Sequence, residues 1–498
     1  MKKILSIALS SLVLLSACDM DINDSPNYAS GTDVTPSMIF PSAENFIADC
    51  VGDDIFNYAG FFAQYFEQMP TSNQYNDLAE LNLNEGKDLF NRDYIYLYAG
   101  ALTDLKEIIN RSENTADIFA CTVLRAYAFQ VLVDNMSDVP YTEALQGSSN
   151  PAPKWDSGQT VYEGVLAELD EAEANLETSD ILSLTDPMLH KNIGQWQGFA
   201  NAIRLRMLLR LIDGNINVAE NTTKVKALVA ENQFFSGDIT WDVYSNAEGQ
   251  YNPWFGAKNN LSTSNHCAAY PIVEYLKATE DPRISYAILP CAYDGSYVGQ
   301  FPGAKTVESG WRGLTAAEYN NDRVSNINYD IFRAAPIYLY TQAELLFLIA
   351  EVELRFNNND AAAKAAYEAA VQADFASRGA GSASGFLAGG MVSWTGSDAQ
   401  KLNRIYMQKW VALFMRDHME AWTEARRTDV PAVSPLSGKA IFDDPSQYNV
   451  GDFIVPAINQ YGNGGLALRV PYPSNARQLN KNTPAAKNIS DRVFWDIK

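Results

Sequence analysis

The dominant pattern along the chain is a helical beat of apolar side chains. In "TVYEGVLAELDEAEANLE", Val161, Val165, Leu169, Ala172 and Leu176 form one stripe, and Glu168, Asp170, Glu171 and Glu173 take much of the remaining surface. That arrangement predicts an amphipathic helix. "WQGFANAIRLRMLLRLID" sets Phe199, Ile203, Met207 and Leu211 four apart, and "YTQAELLFLIAEVELRF" sets Leu345, Leu348, Ile349, Val352 and Phe356 on one face. Similar periodicity predicts helices near 41–69, 87–111, 115–134, 360–377 and 400–425. Short breaks pair them: 87–111 with 115–134, 158–177 with 191–213, 337–357 with 360–377 across "NNND", and two helices within 400–427. The unit is close to the roughly 34-residue helix–turn–helix of tetratricopeptide repeats, with the repeat consensus degenerate. Such hairpins bury their stripes only by stacking, so the two before residue 214 and the two after 336 predict one solenoid-like scaffold.

The pattern fails over 235–335, a stretch rich in Gly, Asn, Pro and aromatics ("TWDVYSNAEGQYNPWFGAKNN"), again at 378–398, and from 428 to 498. Long irregular insertions in a helical scaffold are usually functional or disordered, and this density of Trp and Tyr argues against disorder.

The first residues follow another logic. Lys2 and Lys3 precede an apolar run from Ile4 to Leu15, shorter than the roughly 20 residues needed to span a bilayer. "LSAC" (Leu15–Cys18) resembles the bacterial lipobox, in which the chain is cut before a cysteine that becomes acylated. Residues 1–17 therefore read as a signal peptide and Cys18 as the lipidation site. Residues 18–40, polar and holding Pro26 and Pro36, read as a lipidated N-terminus and tether, and 41–498 as one domain. No second long apolar stretch follows. Asp19, Asp21 and Asp24 just behind Cys18 resemble an acidic signal for export to the cell surface; a merely solvated linker is the simpler reading.

Composition narrows the partners. The formal charge of −23 over 498 residues repels phosphate backbones, so nucleic acid is excluded as a natural partner. Cys50, Cys121, Cys267 and Cys291 match no disulfide framework. Cys267 with Cys291 is the one pair that spacing leaves open, against free buried thiols. His190, His266 and His418 are the only histidines; no HExxH, C-x-x-C, G-x-S-x-G, Walker loop or G-x-G-x-x-G occurs. His418, within "FMRDHMEAW", reads as a structural histidine. Two carboxylates brought together by the fold would make a glycosidase, but 60 acidic residues make such a pair too easy to imagine.

The loop aromatics are the candidate chemistry. A flat ring stacks on the apolar C–H face of a sugar while nearby amides and acids bond its hydroxyls. Asn73, Tyr75, Trp241, Tyr251, Trp254, Tyr293, Tyr297 and Trp311 are the candidate ligand residues. The competing reading is that each ring packs its loop onto the scaffold.

Several stretches, in order, resemble one family. "DVPYTEAL" (Asp138–Leu145), "GQWQGFANAIRLRMLLR" (Gly194–Arg210), "DPRI" (Asp281–Ile284), "YVGQFPG" (Tyr297–Gly303), "PIYLYTQAELLFLIAEVELR" (Pro336–Arg355), "QKWVALFMRDHMEAWTEARRTDVP" (Gln408–Pro431) and "RVPYP" (Arg469–Pro473) look like segments of SusD/RagB-like nutrient-binding outer-membrane lipoproteins. The resemblance implies a mainly α fold. In it, four degenerate tetratricopeptide-like hairpins form a right-handed superhelical scaffold with large loop insertions. It implies a surface lipoprotein that holds glycan, or in some members peptide, over a SusC-like TonB-dependent transporter, and that is not an enzyme. A lipid-anchored helical glycoside hydrolase and a scaffold that binds only protein are the other readings. The resemblance implies no cofactor. Some members bind calcium, for which no loop here carries a signature.

Overall fold

In the computed structural model, the residues described are 34–177, 179–260, 265–303, 315, 318–460 and 465–498. Cys18 and Trp311 lie outside them. The main helices are α1 (Pro36–Gly52), α2 (Asp54–Phe62), α3 (Thr103–Arg111), α4 (Thr115–Met136), α5 (Gly158–Ala174), α6 (Ile193–Asp213), α7 (Val218–Glu231), α8 (Tyr270–Ala278), α9 (Gln342–Arg355), α10 (Asp360–Ser377), α11 (Asp398–Leu413) and α12 (His418–Thr428). Four short strands, β1 (Phe66–Gln68), β2 (Ile239–Trp241), β3 (His266–Ala268) and β4 (Ile337–Tyr340), form two antiparallel pairs, β1 with β3 and β2 with β4. The fold is mainly α and forms a single domain.

Helix starts follow local capping. The Asn114 side chain accepts from the backbone N–H groups of Ala116 and Asp117 at the head of α4, and Ser157, Asn192 and Thr341 do the same for α5, α6 and α9. The 22-residue α4 is long and apolar enough to cross a membrane, with a mean hydropathy of 1.5 over its best window, but 89% of that window is buried in the protein. It is a core helix, covered by α3, α5 and α6.

Two runs differ from the periodic pattern, and a third divides where two helices are expected. The run over 41–69 is helical only to Phe62; Gln64 takes φ 53°, the chain turns, and Phe66–Gln68 joins β3. The run over 337–357 opens as β4 and becomes helical at Gln342. The run over 400–425 breaks after Leu413, where Met415 takes φ 58°; it restarts when Asp417 accepts from Glu420 N at 2.9 Å. At the other end, α1 starts at Pro36, inside the stretch that composition assigns to the tether. Its Gly52 is required by packing: a Cβ there would lie 2.3 Å from Ile337 Cδ1 on β4.

Helices α9 and α10 pack along their length, as do α11 with α9 and α12. The 158–177 and 191–213 segments touch each other, but α5 lies chiefly on α4, and α6 on α7 and α4. One large apolar core runs through both halves of the chain, with a second between α9, α10 and α11 and a third under the loops around Met69, Phe301 and Tyr448.

An ion network crosses the centre of the scaffold. On α6, Arg206 pairs with Glu344 of α9 at 2.7 Å, and Arg210 pairs with Asp134 of α4 at 2.6 Å and Glu420 of α12 at 2.5 Å. Arg427 of α12 meets Glu351 of α9 at 2.6 Å and Glu424 at 2.7 Å, and Lys409 of α11 also pairs with Glu424. Burial works against the Glu351 carboxylate, but Arg427 and Arg355 overcome it and hold its pKa down at about 2. Glu344, with burial dominant and Glu420 adding to it, is pushed well up despite Arg206. The four cysteines are free thiols: Cys267 Sγ donates to Glu67 O at 3.4 Å and Cys291 Sγ to Asp294 Oδ1 at 3.1 Å, so the Cys267–Cys291 bridge left open by spacing is not made.

Candidate functional site

The β1–β3 pair builds the site. Its register sets Gln68 opposite His266. The Gln68 side chain donates to Asn265 O at 3.0 Å and accepts from Tyr75 N at 2.5 Å, which ties the loop after β1 back onto the strand pair. A second tie runs from Thr71 N to Asn321 Oδ1 at 3.0 Å. Held this way, the half-buried Tyr75 ring lies 4.5 Å from His266 and 5.7 Å from Phe61 between centroids, and Asn73 is exposed beside it.

His266 is the organising side chain. Its Nε2 is 2.6 Å from Asn57 Oδ1, which can only accept, so Nε2 donates. That leaves Nδ1 to accept from the Tyr329 hydroxyl at 2.8 Å. Tyr329 is half-buried and stacks on Trp254 at 5.1 Å and 15°; Trp254 stacks in turn on Phe66 at 5.5 Å and 8°. Tyr75, His266, Tyr329, Trp254 and Phe66 thus form one continuous aromatic assembly running from the surface to the core. Asp53 and Asp54 edge it, each 3.0 Å from Arg92. Burial, with these two acids adding, pushes the Tyr75 phenol well above its ordinary value, so it stays a hydrogen-bond donor.

The candidate residues separate into three groups. Asn73, Tyr75 and Tyr251 present accessible atoms; Tyr251 is half-buried, edge-on to Phe255 at 5.2 Å, with Arg333 over both rings. Trp254 is 1% exposed and Trp241, on β2, is 5% exposed. Both are packed into the core, and neither ring has a face free to stack on a ligand; Trp254 supports Tyr329 instead. Tyr293, 60% exposed, lies under the Arg323 guanidinium at 3.2 Å from its ring centroid. Its N–H donates to Asp322 O, next to the Asn321 that holds Thr71, so this ring borders the same loops. Tyr297 stands apart, lining a cavity of about 360 Å³ with Tyr270, Glu274, Lys277 and Pro445. Another cavity, of about 420 Å³, lies on the scaffold between α3, α4 and α5 rather than among the loops.

His266, Tyr329, Gln68, Asn57, Arg323 and Arg333 escaped the sequence reading. His266 is 191 positions from Tyr75, and only the β1–β3 pairing joins them. A histidine inside a strand that short leaves no periodic signal.

The arrangement offers rings, amides, acids and guanidinium groups at the surface. Both His266 nitrogens are engaged in hydrogen bonds. His418 is fully buried between Phe56 O and Met415 N, and burial drives its pKa down to about 3. Among the described residues no three His, Cys, Asp or Glu side chains are grouped to hold a metal ion. Such a surface can both stack on flat apolar faces and exchange hydrogen bonds with polar groups.

Comparison with known proteins agrees in extent. The family profile SusD-like_2, described as "Starch-binding associating with outer membrane", matches residues 27–445. A solved chitin-binding SusD homologue from Flavobacterium johnsoniae is 20% identical, covers 91% of this chain and 98% of its own, and superposes with a TM-score of 0.71. A SusD homologue from Bacteroides uniformis is 21% identical, with 92% and 99% covered and a TM-score of 0.69. A SusD-like protein named "Bacteroidetes AC2a" is 20% identical, with 93% and 100% covered and a TM-score of 0.73. No curated protein matches the chain in sequence.

Proposed function

Given that the chain belongs to the SusD-like family of starch-binding proteins that associate with the outer membrane, we propose that it captures a glycan at the cell surface. It passes the oligo- or polysaccharide to a SusC-like TonB-dependent transporter. The observation that carries this reading is the loop face: half-buried Tyr75 and Tyr329 around His266, with Asn73, Asp53 and Asp54 beside them, and Tyr251 and Tyr293 each under an arginine on the neighbouring loops. Rings whose edges reach solvent, ringed by planar hydrogen-bonding groups, suit a sugar's alternating C–H and hydroxyl surfaces. The chitin-binding relative from Flavobacterium johnsoniae has the same fold, so this scaffold is compatible with such a ligand.

In this proposal residues 1–17 are removed, Cys18 carries acyl chains, and the residues up to 35 link it to the body. Asn73, Tyr75, Tyr251 and Tyr293 meet ligand, and Tyr297 lines a separate patch. The protein performs no chemistry on the glycan and needs no cofactor. Titration calorimetry of residues 18–498 with malto-oligosaccharides and N-acetylchito-oligosaccharides tests it. Binding that weakens at least tenfold in Tyr75→Ala with the melting temperature retained supports the reading. Peptide binding without binding of any glycan overturns it.

A further inference from the structure

The described chain begins at a corner held by three contacts. Arg111 Nη2 at the end of α3 donates to Val34 O at 2.8 Å; the Ser37 and Thr185 hydroxyls lie 2.9 Å apart; Asn114 Nδ2 donates to Ile181 O at 2.9 Å. These bring the entry of the chain, the α3–α4 corner and the 181–185 segment onto one face. Two large apolar side chains stand out from it, Met38 at 63% exposure and Ile181 at 76%. Neither helps bury the core; Ile181 lies between Asp180 and the buried Leu182. The exposed Arg111 and Lys191 lie at its rim among the acids Glu107, Glu113 and Asp180.

We infer that this face rests on the lipid surface to which the protein is tethered, with Met38 and Ile181 entering the headgroup region. The inference rests on the reading of Cys18 as acylated. The 17 residues from Cys18 to Val34 span at most about 55 Å even when fully extended. The corner at Val34 is therefore the part of the body that the anchor draws nearest to the bilayer. Arg111 and Lys191 are the cations that this face can bring to lipid phosphates. An exposed Ile and Met with flanking Arg and Lys match the interfacial zone, where apolar atoms leave water while cationic heads stay at the phosphates.

The native thiols make a clean test. Cys50, Cys121 and Cys267 are 0% exposed and Cys291 is 3% exposed, so a cysteine placed at the surface is the one that a maleimide dye reaches. Met38→Cys, Ile181→Cys and, as a distant control, Met391→Cys in the loop before α11 are labelled with an environment-sensitive dye in the acylated protein. The probe membrane is phosphatidylethanolamine–phosphatidylglycerol vesicles carrying nitroxide-labelled lipid. Loss of most of the emission at positions 38 and 181, with position 391 unchanged, is the expected result. Unchanged emission at all three, in protein whose mass shows the acyl chains, overturns the lipid contact and leaves the Cys18 reading intact. A mass without acyl chains overturns the Cys18 reading and the inference with it. Protection of 38 and 181 only when a purified partner protein is added makes the face a protein contact and also overturns the inference.

Discussion

Tyr75 and Trp254 contact the same histidine, 4.5 Å and 5.6 Å from its ring, yet substitution should separate them. Tyr75 lies at the surface end of the assembly, so Tyr75→Ala is expected to reduce glycan affinity while thermal unfolding stays within a degree or two of the parent. Trp254 is interior. Trp254→Ala opens a cavity between Phe66 and Tyr329 and should cost about 3–5 kcal/mol in denaturant unfolding, with any loss of binding following from that. The sequence reading placed both rings in one class because residue type and loop context are alike. Burial separates them, and burial depends on strand pairing across some two hundred residues. Asn73, Tyr75 and Tyr293 keep accessible atoms, since a short polar loop leaves little scaffold to hide in. The thiols can also be counted: titration of unfolded, unreduced residues 18–498 should find Cys50, Cys121, Cys267 and Cys291 all reactive.

Among the elements, α12 has an unusual N-terminus. Asp417 caps it, is 5% exposed, and burial pushes its pKa from 3.8 up to about 7. The folded state thus keeps a proton that the unfolded chain releases above about pH 4. This contribution is complete below 3.8 and is lost as pH rises through 7. His418 next to it runs the other way: its pKa falls from 6.5 to about 3, so its contribution is present above 6.5 and is lost as pH falls toward 3. Asp417→Asn keeps the cap and removes the first titration. Its unfolding free energy relative to the parent, measured with denaturant, should climb between pH 4 and 8, by an amount on the order of 4 kcal/mol at most. A flat difference across that range would show that Asp417 is ionised when folded. The helices themselves were legible because their apolar stripes are long. The division within 400–427 into two helices was legible too, but the interruption at Asp53 was not, because a stripe persists through a break that tertiary packing imposes.

At the scale of the molecule, the buried ions explain several stretches that resemble the family. Arg206 and Arg210 lie within 194–210, Glu344 and Glu351 within 336–355, and Lys409, Glu420, Glu424 and Arg427 within 408–431. These segments meet one another in the interior. Glu351→Ala takes one of the two carboxylates that Arg427 and Lys409 share, leaving Glu424 alone between them and Arg355 without its Glu351 partner, and should destabilise the fold by roughly 3–5 kcal/mol, measured by urea unfolding. The anchor is a separate matter: Cys18→Ser should move the protein from the membrane fraction to the soluble one, with glycan affinity unchanged.

The central ion network also sets a timetable. Arg206 and Arg210 wait 138 and 210 residues for Glu344 and Glu420. Before those helices have formed, the N-terminal half holds two arginines meant for the interior with little beyond Asp134 to receive them. That half has reason to stay open until the last helices arrive, so the protein folds late and as a unit. A chain ended before Glu344 should remain protease-sensitive however long it is given.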